Sequence, residues 1–208
     1  MMNTIKQLLP TSLKVWVKDL IGYRELSGRE KLLKQLPQGS IGVEIGVHEG
    51  DFSAQILDIV QPTRLYLVDP WEFQTDDTYE NALYGGHKGI DQSHMNVRLD
   101  QVKTRFADAI TRQQVIIQRG YSNEVIDAFD DQSLDWVYID GNHLYEYVKQ
   151  DLELYYDKVT SGGYLTGDDY NNRGWWEDGV TRAVDEFVHE RQLTLQTPGG
   201  GQFIIQKP

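Results

Sequence analysis

From Ile41 onward, short runs rich in β-branched and aromatic residues alternate with stretches of helical character. That alternation is the signature of βαβ units and a parallel sheet. Strands are expected at Ile41–Val47, Arg64–Trp71, Val115–Gln118, Leu134–Asp140 and Gly163–Asp168, with helices between them. The rhythm then changes: Leu193–Thr197 and Gln202–Gln206 are two short β runs separated by Pro198, Gly199, Gly200 and Gly201. That spacing predicts a hairpin, so one strand near the sheet's end runs antiparallel to its neighbour. The pattern predicts an α/β fold: a mostly parallel seven-stranded sheet with helices on both faces and an antiparallel C-terminal strand.

The first residues follow a different pattern. Leu13, Trp16, Val17, Leu20 and Ile21 recur at helical spacing, with Lys14 and Lys18 beside that face. Residues 1–36 carry seven Lys or Arg against three Asp or Glu, whereas the whole chain stands at −12. A basic helical segment, 1–36, therefore precedes an acidic body, 37–208, and the two have different surfaces or partners. The segment is expected to pair with a second copy, giving a homodimer, or to lie on an acidic membrane surface.

Composition narrows the function. At 208 residues the chain fits one domain. No apolar run approaches the ~18 residues of a membrane span, and the start lacks a signal-peptide core, so a cytoplasmic location is expected. Without cysteine there is no disulfide and no thiolate metal site, and any metal is held by oxygen or histidine nitrogen. The negative charge disfavours nucleic acid, whose phosphates need a basic surface, and favours a small-molecule substrate.

In an open parallel sheet, ligands bind beyond the carboxyl ends of the strands where strand order reverses. The first strand runs through Glu44 into Gly46, Val47, His48, Glu49 and Gly50, a turn that opens a helix. Gly46 and Gly50 let the backbone pass close to a ligand. The second strand ends in Asp69, about twenty residues on, where an acid accepts hydrogen bonds from ribose hydroxyls. A nicotinamide site would need a further glycine where Glu49 stands, and a carboxylate sits badly beside a pyrophosphate.

The run Gly42-Val43-Glu44-Ile45-Gly46-Val47-His48-Glu49-Gly50 is similar to the first motif of class I S-adenosylmethionine methyltransferases, although His48 stands where many members have a middle glycine. The resemblance implies a Rossmann-like domain. It also implies that Glu44, Gly46 and Gly50 lie at the methionine part of the cofactor, Asp69 on its ribose, and Gly120, Tyr121 and Ser122 near its adenine.

The fourth and fifth strands end in Asp140 and in Asp168-Asp169. If these strands are neighbours, three carboxylates converge and repel unless protonated or bridged by a hard cation such as Mg²⁺. The segments Tyr138-Ile139-Asp140-Gly141-Asn142-His143 and Ser161 to Tyr170 resemble metal-dependent O-methyltransferases of the macrocin and catechol type. The resemblance implies that Asp140, Asp168 and Asp169 hold Mg²⁺, with Asp140 also beside the cofactor. Catechol enzymes place a lysine where this chain has His143, so the base falls on His143, whose ordinary pKa suits the task.

The long stretch from Glu72 to Asn96 and the run Asn171-Asn172-Arg173-Gly174-Trp175-Trp176 combine aromatic and polar groups, as a hydroxylated acceptor such as a sugar requires. Three functions fit these features. The leading one is Mg²⁺-assisted methyl transfer to a hydroxyl. The others are a non-catalytic S-adenosylmethionine-binding module in a larger assembly and a metal-dependent hydrolase.

Overall fold

Each expected strand forms, and the order in which the strands pair decides where a ligand sits. The computed structural model describes residues 25–82, 84, 86 and 89–208. Strand β1 (Ile41–Ile45) lies between β2 (Arg64–Asp69) and β4 (Leu134–Ile139), parallel to both. Outside these lie β3 (Val115–Arg119), parallel to β2, and β5 (Val159–Gly167), parallel to β4. The hairpin completes the sheet: β7 (Gln202–Gln206) runs antiparallel to β5 and carries β6 (Leu195–Gly199) on its other side. The order β3-β2-β1-β4-β5-β7-β6 reverses direction between β1 and β4. That is where a Rossmann-like sheet opens its cleft.

Differences from the expected bounds have local causes. Strands β1 and β2 stop short of Val47 and Trp71 because Gly46 (φ +87°) and Trp71 (φ +42°) leave the extended conformation. Strand β5 starts at Val159, which pairs with Leu134 before a bulge resets the register at Trp136 and Tyr164. Strand β6 starts two residues late because the Leu193 N–H still donates to the Val188 carbonyl of the preceding helix, at 2.9 Å.

The helices are α1 (Gly28–Leu33), α2 (Asp51–Ile59), α3 (Gln92–Arg105), α4 (Ala107–Thr111), α5 (Tyr145–Lys158) and α6 (Gly179–Arg191). Helix α3 begins inside the expected 72–96 loop, because the Asp91 carboxylate caps it by accepting from the Ser93 and His94 N–H groups. Strand β4 shows how both faces are covered. Trp136 and Tyr138 point into one core with Leu32, Phe52, Ile56 and Met95, while Val137 and Ile139 point into the other with Leu152, Tyr155, Val184 and Phe187.

Helix α1 belongs to this body. Ser27 and Glu30 form a reciprocal cap that starts it, and Leu32, Leu33 and Leu36 are buried in the first core. The segment expected to stand apart over 1–36 is therefore docked along its described part. At Gly28 the backbone lies so close to the β6–β7 turn that a Cβ would stand 2.0 Å from the Gly199 carbonyl oxygen. The apolar stripe from Leu13 to Ile21, and the dimer expected through it, lie outside the described residues. Among those residues no helix is long and apolar enough to cross a membrane.

Candidate active site

Gly46, Asp69, Asp140, Asp168 and Asp169 all lie at the carboxyl ends of their strands, along the edge where β1 and β4 part. The edge is tied together by backbone bonds: Gly46 N–H to Val68 O at 2.9 Å, Asp140 N–H to Ile45 O at 2.8 Å and Asp168 N–H to Ile139 O at 3.2 Å.

Asp69 is 2% exposed, and its carboxylate is fully used. One oxygen accepts from the Val47 and His48 N–H groups at 2.9 and 3.0 Å, the other from the Trp71 N–H at 2.7 Å and from the Tyr84 hydroxyl. Four donors occupy the four lone-pair positions of a carboxylate. Burial raises its pKa, opposed by these bonds. Asp69 thus shapes the turn after β1, and only the Tyr84 hydroxyl occupies a position that a ligand hydroxyl can take over. Glu44 is buried beneath the same turn, accepts from the Ser53 hydroxyl at 2.5 Å, and is pushed by burial up to about 8. Gly50 starts α2 in a left-handed conformation.

At the β3 end, the Gly120 N–H donates to the Asp69 carbonyl at 3.1 Å, and the Tyr121 hydroxyl accepts from Gln74 at 3.0 Å. Ser122 faces inward: its hydroxyl donates to Asp151 of α5, and Tyr155 donates to its carbonyl at 3.2 Å. Burial pushes Asp151 up to about 7, opposed by the Ser122 bond. The folded protein then holds this proton more tightly than the unfolded chain, whose carboxyl titrates near ~3.9. The associated stability is complete below about pH 4, falls as pH rises towards 7 and is absent above that. Asp151→Asn keeps an acceptor for Ser122 and escapes the loss. It is expected to raise the melting temperature at pH 8 by on the order of 5 °C, with the gain vanishing near pH 4. Melting curves showing a pH-independent difference would remove the buried charge as its cause.

The acids after β4 and β5 do converge, but as two groups. Asp169 has a left-handed backbone (φ +62°) that bends the chain sharply, so that the adjacent carboxylates face different partners. The Oδ2 of Asp169 lies 3.2 Å from His143 Nε2, which is 3.3 Å from Asp140 Oδ1. One ligand atom from each of these three residues falls within a 4.8 Å cluster that could hold a metal ion. Asp168 lies beside that group, bridged to Asp140 by Arg29 Nη2. Its Oδ2 accepts from Arg29 Nε at 2.9 Å and from Arg29 Nη2, and its Oδ1 accepts from Gln202 Nε2 and from the Asp169 N–H at 2.8 Å. Of the expected set, Asp140 and Asp169 meet around His143, while Asp168 pairs with a guanidinium.

Arg29 also donates to Asp140 Oδ2 at 2.8 Å, and its guanidinium carbon lies 4.7 Å from the Phe52 ring centre. Burial raises the Asp140 pKa, opposed by the His143 hydrogen bond. Burial pulls His143 down, but its bond to Asp140 and the charges of Asp140, Asp169 and Asp168 outweigh this, so its pKa is raised. Around His143 stand Trp176, with ring centres 4.7 Å apart, and Trp175, which meets Tyr79 edge-on at 5.3 Å. The Tyr79 hydroxyl accepts from Asn142 at 2.8 Å. Trp176 also packs on the second core, so it serves both the interior and this wall.

Residues 43–170 match a family described as a methyltransferase domain, which is more than half of the chain. The chain belongs to that family. It is a methyltransferase-domain protein. Its fold is similar to that of the O-methyltransferase NovP (21% identity, TM-score 0.60, 86% of this chain and 79% of that one). It is also similar to the O-methyltransferase TomG from Streptomyces achromogenes, solved with S-adenosylmethionine (15% identity, TM-score 0.57, 88% and 82% covered). An uncharacterized protein of Acanthamoeba polyphaga mimivirus is 38% identical over 65 residues, which span 31% of this chain and 29% of the relative.

The methyltransferase's own side chains test the fit of its cofactor. The Tyr84 hydroxyl on Asp69 shows that this oxygen takes an O–H donor, as a ribose would supply. For an ion, two carboxylate oxygens and an imidazole nitrogen form a suitable donor set. Arg29 and Asp151 escaped the sequence reading, and Tyr84 was read as part of the 72–96 loop without its bond to Asp69. The Ser27 to Glu30 capping signal and the surplus of acids over cations were the available pointers to Arg29.

Proposed function

We propose that this methyltransferase moves the S-adenosylmethionine methyl group to a hydroxyl oxygen of a small acceptor, a sugar in the first instance, with help from a divalent cation. The observation that carries this reading is the cluster of Asp140, His143 and Asp169 on the carboxyl edge of the sheet, beside the turn shaped by Asp69 and Gly46. A bound cation, Mg²⁺ or an ion of similar charge, lowers the hydroxyl's pKa and orients it. Asp140 and Asp169 would supply anionic oxygens to hold it, and His143 Nε2 a nitrogen. In the ion-free site His143 Nε2 lies between the two carboxylates, and it can accept the acceptor's proton only in its neutral form. Trp175, Trp176 and Tyr79 present aromatic faces to the acceptor and exclude water from it. Orientation is the main device in such a two-substrate displacement.

The test is methyl transfer from labelled S-adenosylmethionine to hydroxylated small molecules, with calorimetry of cofactor binding in parallel. EDTA should abolish transfer and leave cofactor binding intact, and added divalent ion should restore turnover. Full activity in EDTA would favour an ion-free reaction in which Arg29, already bridging Asp140 and Asp168, supplies the positive charge. Cofactor binding with no transfer to any acceptor would favour a non-catalytic module.

A further inference from the structure

We propose that Tyr84 is a built-in competitor of the cofactor: in the free protein its hydroxyl holds the ribose position on Asp69, and S-adenosylmethionine binds by exchanging that hydroxyl for one of its own. The inference rests on the S-adenosylmethionine reading above and concerns how this chain takes up and releases the cofactor.

The four donors on Asp69 are not equivalent. Three are backbone N–H groups, of Val47, His48 and Trp71, and none can leave without undoing the turns that follow β1 and β2. The fourth is a side-chain hydroxyl, brought to Asp69 from 15 residues further along the chain. A tyrosine moves its hydroxyl by rotating its own side chain, so this is the one donor that can be exchanged while the turn stays intact. The other contacts described for Tyr84 are weaker: it is partly buried at the edge of the first core, and the Arg98 guanidinium carbon lies 6.0 Å from its ring centre, the outer limit of a cation–π contact. Burial and the Asp69 charge raise the Tyr84 pKa, so the hydroxyl keeps its proton and remains a donor.

The same turn keeps a second polar atom short of a partner. His48 Nε2 is buried without a hydrogen bond, although the N–H of that residue serves Asp69 and its carbonyl accepts from Trp71 Nε1. Its ring centre lies 5.9 Å from that of Tyr84. Buried polar atoms are normally paired, and an unpaired one beside Tyr84 is what a site leaves open when a hydroxylated ligand completes it. Exchange of Tyr84 for a ribose hydroxyl replaces one O–H···O⁻ bond by another, so the hydroxyl adds discrimination with little net gain in affinity. The product left after methyl transfer carries the same ribose, and Tyr84 competes for Asp69 at its release as it does at uptake. Tyr84 acts through Asp69, so it is a positioning residue.

The experiment compares the full wild-type chain with Tyr84→Phe, by calorimetric titration and by thermal melting with and without S-adenosylmethionine. Tyr84→Phe keeps the ring and removes only the competing hydroxyl. It is expected to bind S-adenosylmethionine and S-adenosylhomocysteine about tenfold more tightly than wild type, the scale of one hydrogen bond to a charged acceptor. Adenosine should gain in the same way, and 2′,3′-dideoxyadenosine, which has no hydroxyl to exchange, should not. The free variant should melt roughly 3 °C or more below wild type, and the gap should close at saturating S-adenosylmethionine, because the lost bond belongs to the free protein alone. A purely structural role for Tyr84 would keep that gap in the complex. Equal or weaker binding by Tyr84→Phe, a melting gap that persists with cofactor, or an equal gain for the dideoxy compound overturns the competitor role and leaves the cofactor reading standing. Absence of S-adenosylmethionine binding by both proteins overturns the cofactor reading, and this inference with it.

Discussion

Asp69→Ala is expected to lose most S-adenosylmethionine affinity and to melt far below the wild type, whereas Asp69→Asn should fold and show a smaller loss. The reason is that one buried carboxylate satisfies the N–H groups of Val47, His48 and Trp71. Removing it leaves three donors without partners, at about 1 to 3 kcal/mol each. That sum is a large share of the ~5 to 15 kcal/mol that holds a typical domain together. Trp71 adds to the effect, because its left-handed backbone is kept in place by Asp69 and by the bond from its indole Nε1 to the His48 carbonyl at 3.0 Å. Asparagine keeps one acceptor oxygen, so part of the turn survives. Thermal melts followed by circular dichroism, with calorimetric titration of cofactor, separate the two effects. An Asp69→Ala protein as stable as wild type would mean that the turn is held by other contacts.

Gly46→Ala should be nearly as damaging, through sterics rather than lost bonds. Gly46 has φ +87°, and a Cβ there would stand 2.0 Å from the Asp140 carbonyl oxygen and 2.8 Å from the Gly141 Cα. Both neighbours are backbone at the end of β4, so relief requires moving Asp140 away from β1. The conformational cost alone is ~1 to 2 kcal/mol. Gly39→Ala is the control, since φ there is +67° but nothing lies within 4 Å of the added carbon. It should show only that conformational cost and unchanged cofactor affinity. Equal behaviour of the two variants in melting and titration would show that the close approach at Gly46 does not matter.

The sheet was legible because each strand is a short β-rich run and the glycine-rich hairpin announced the reversed strand. The strand-end acids were legible for the same reason, once β4 and β5 are neighbours. Partners set by long-range packing were not. Arg29 meets Asp140 and Asp168 across 111 and 139 residues, and no local spacing encodes such a contact. The pairing of Asp168 with Arg29 was not foreseen, because a neighbouring pair of carboxylates in sequence says nothing about which way a left-handed bend will turn them. Ser122 was read as lying near the adenine, and the bond of its hydroxyl to Asp151, one helix away, was not foreseen.

The docking of α1 on the β6–β7 turn also orders the folding of the chain. Its seat includes Gly199, and its arginine needs Asp168, so neither exists while a nascent chain has only its first strands. Pairings this distant in sequence form late, after the loop-closure entropy has been overcome. During synthesis the carboxylates of β4 and β5 therefore emerge before their counter-cation can settle. Refolding of this protein should accordingly be faster at high ionic strength than at low, since salt screens the repulsion among these carboxylates until the helix docks.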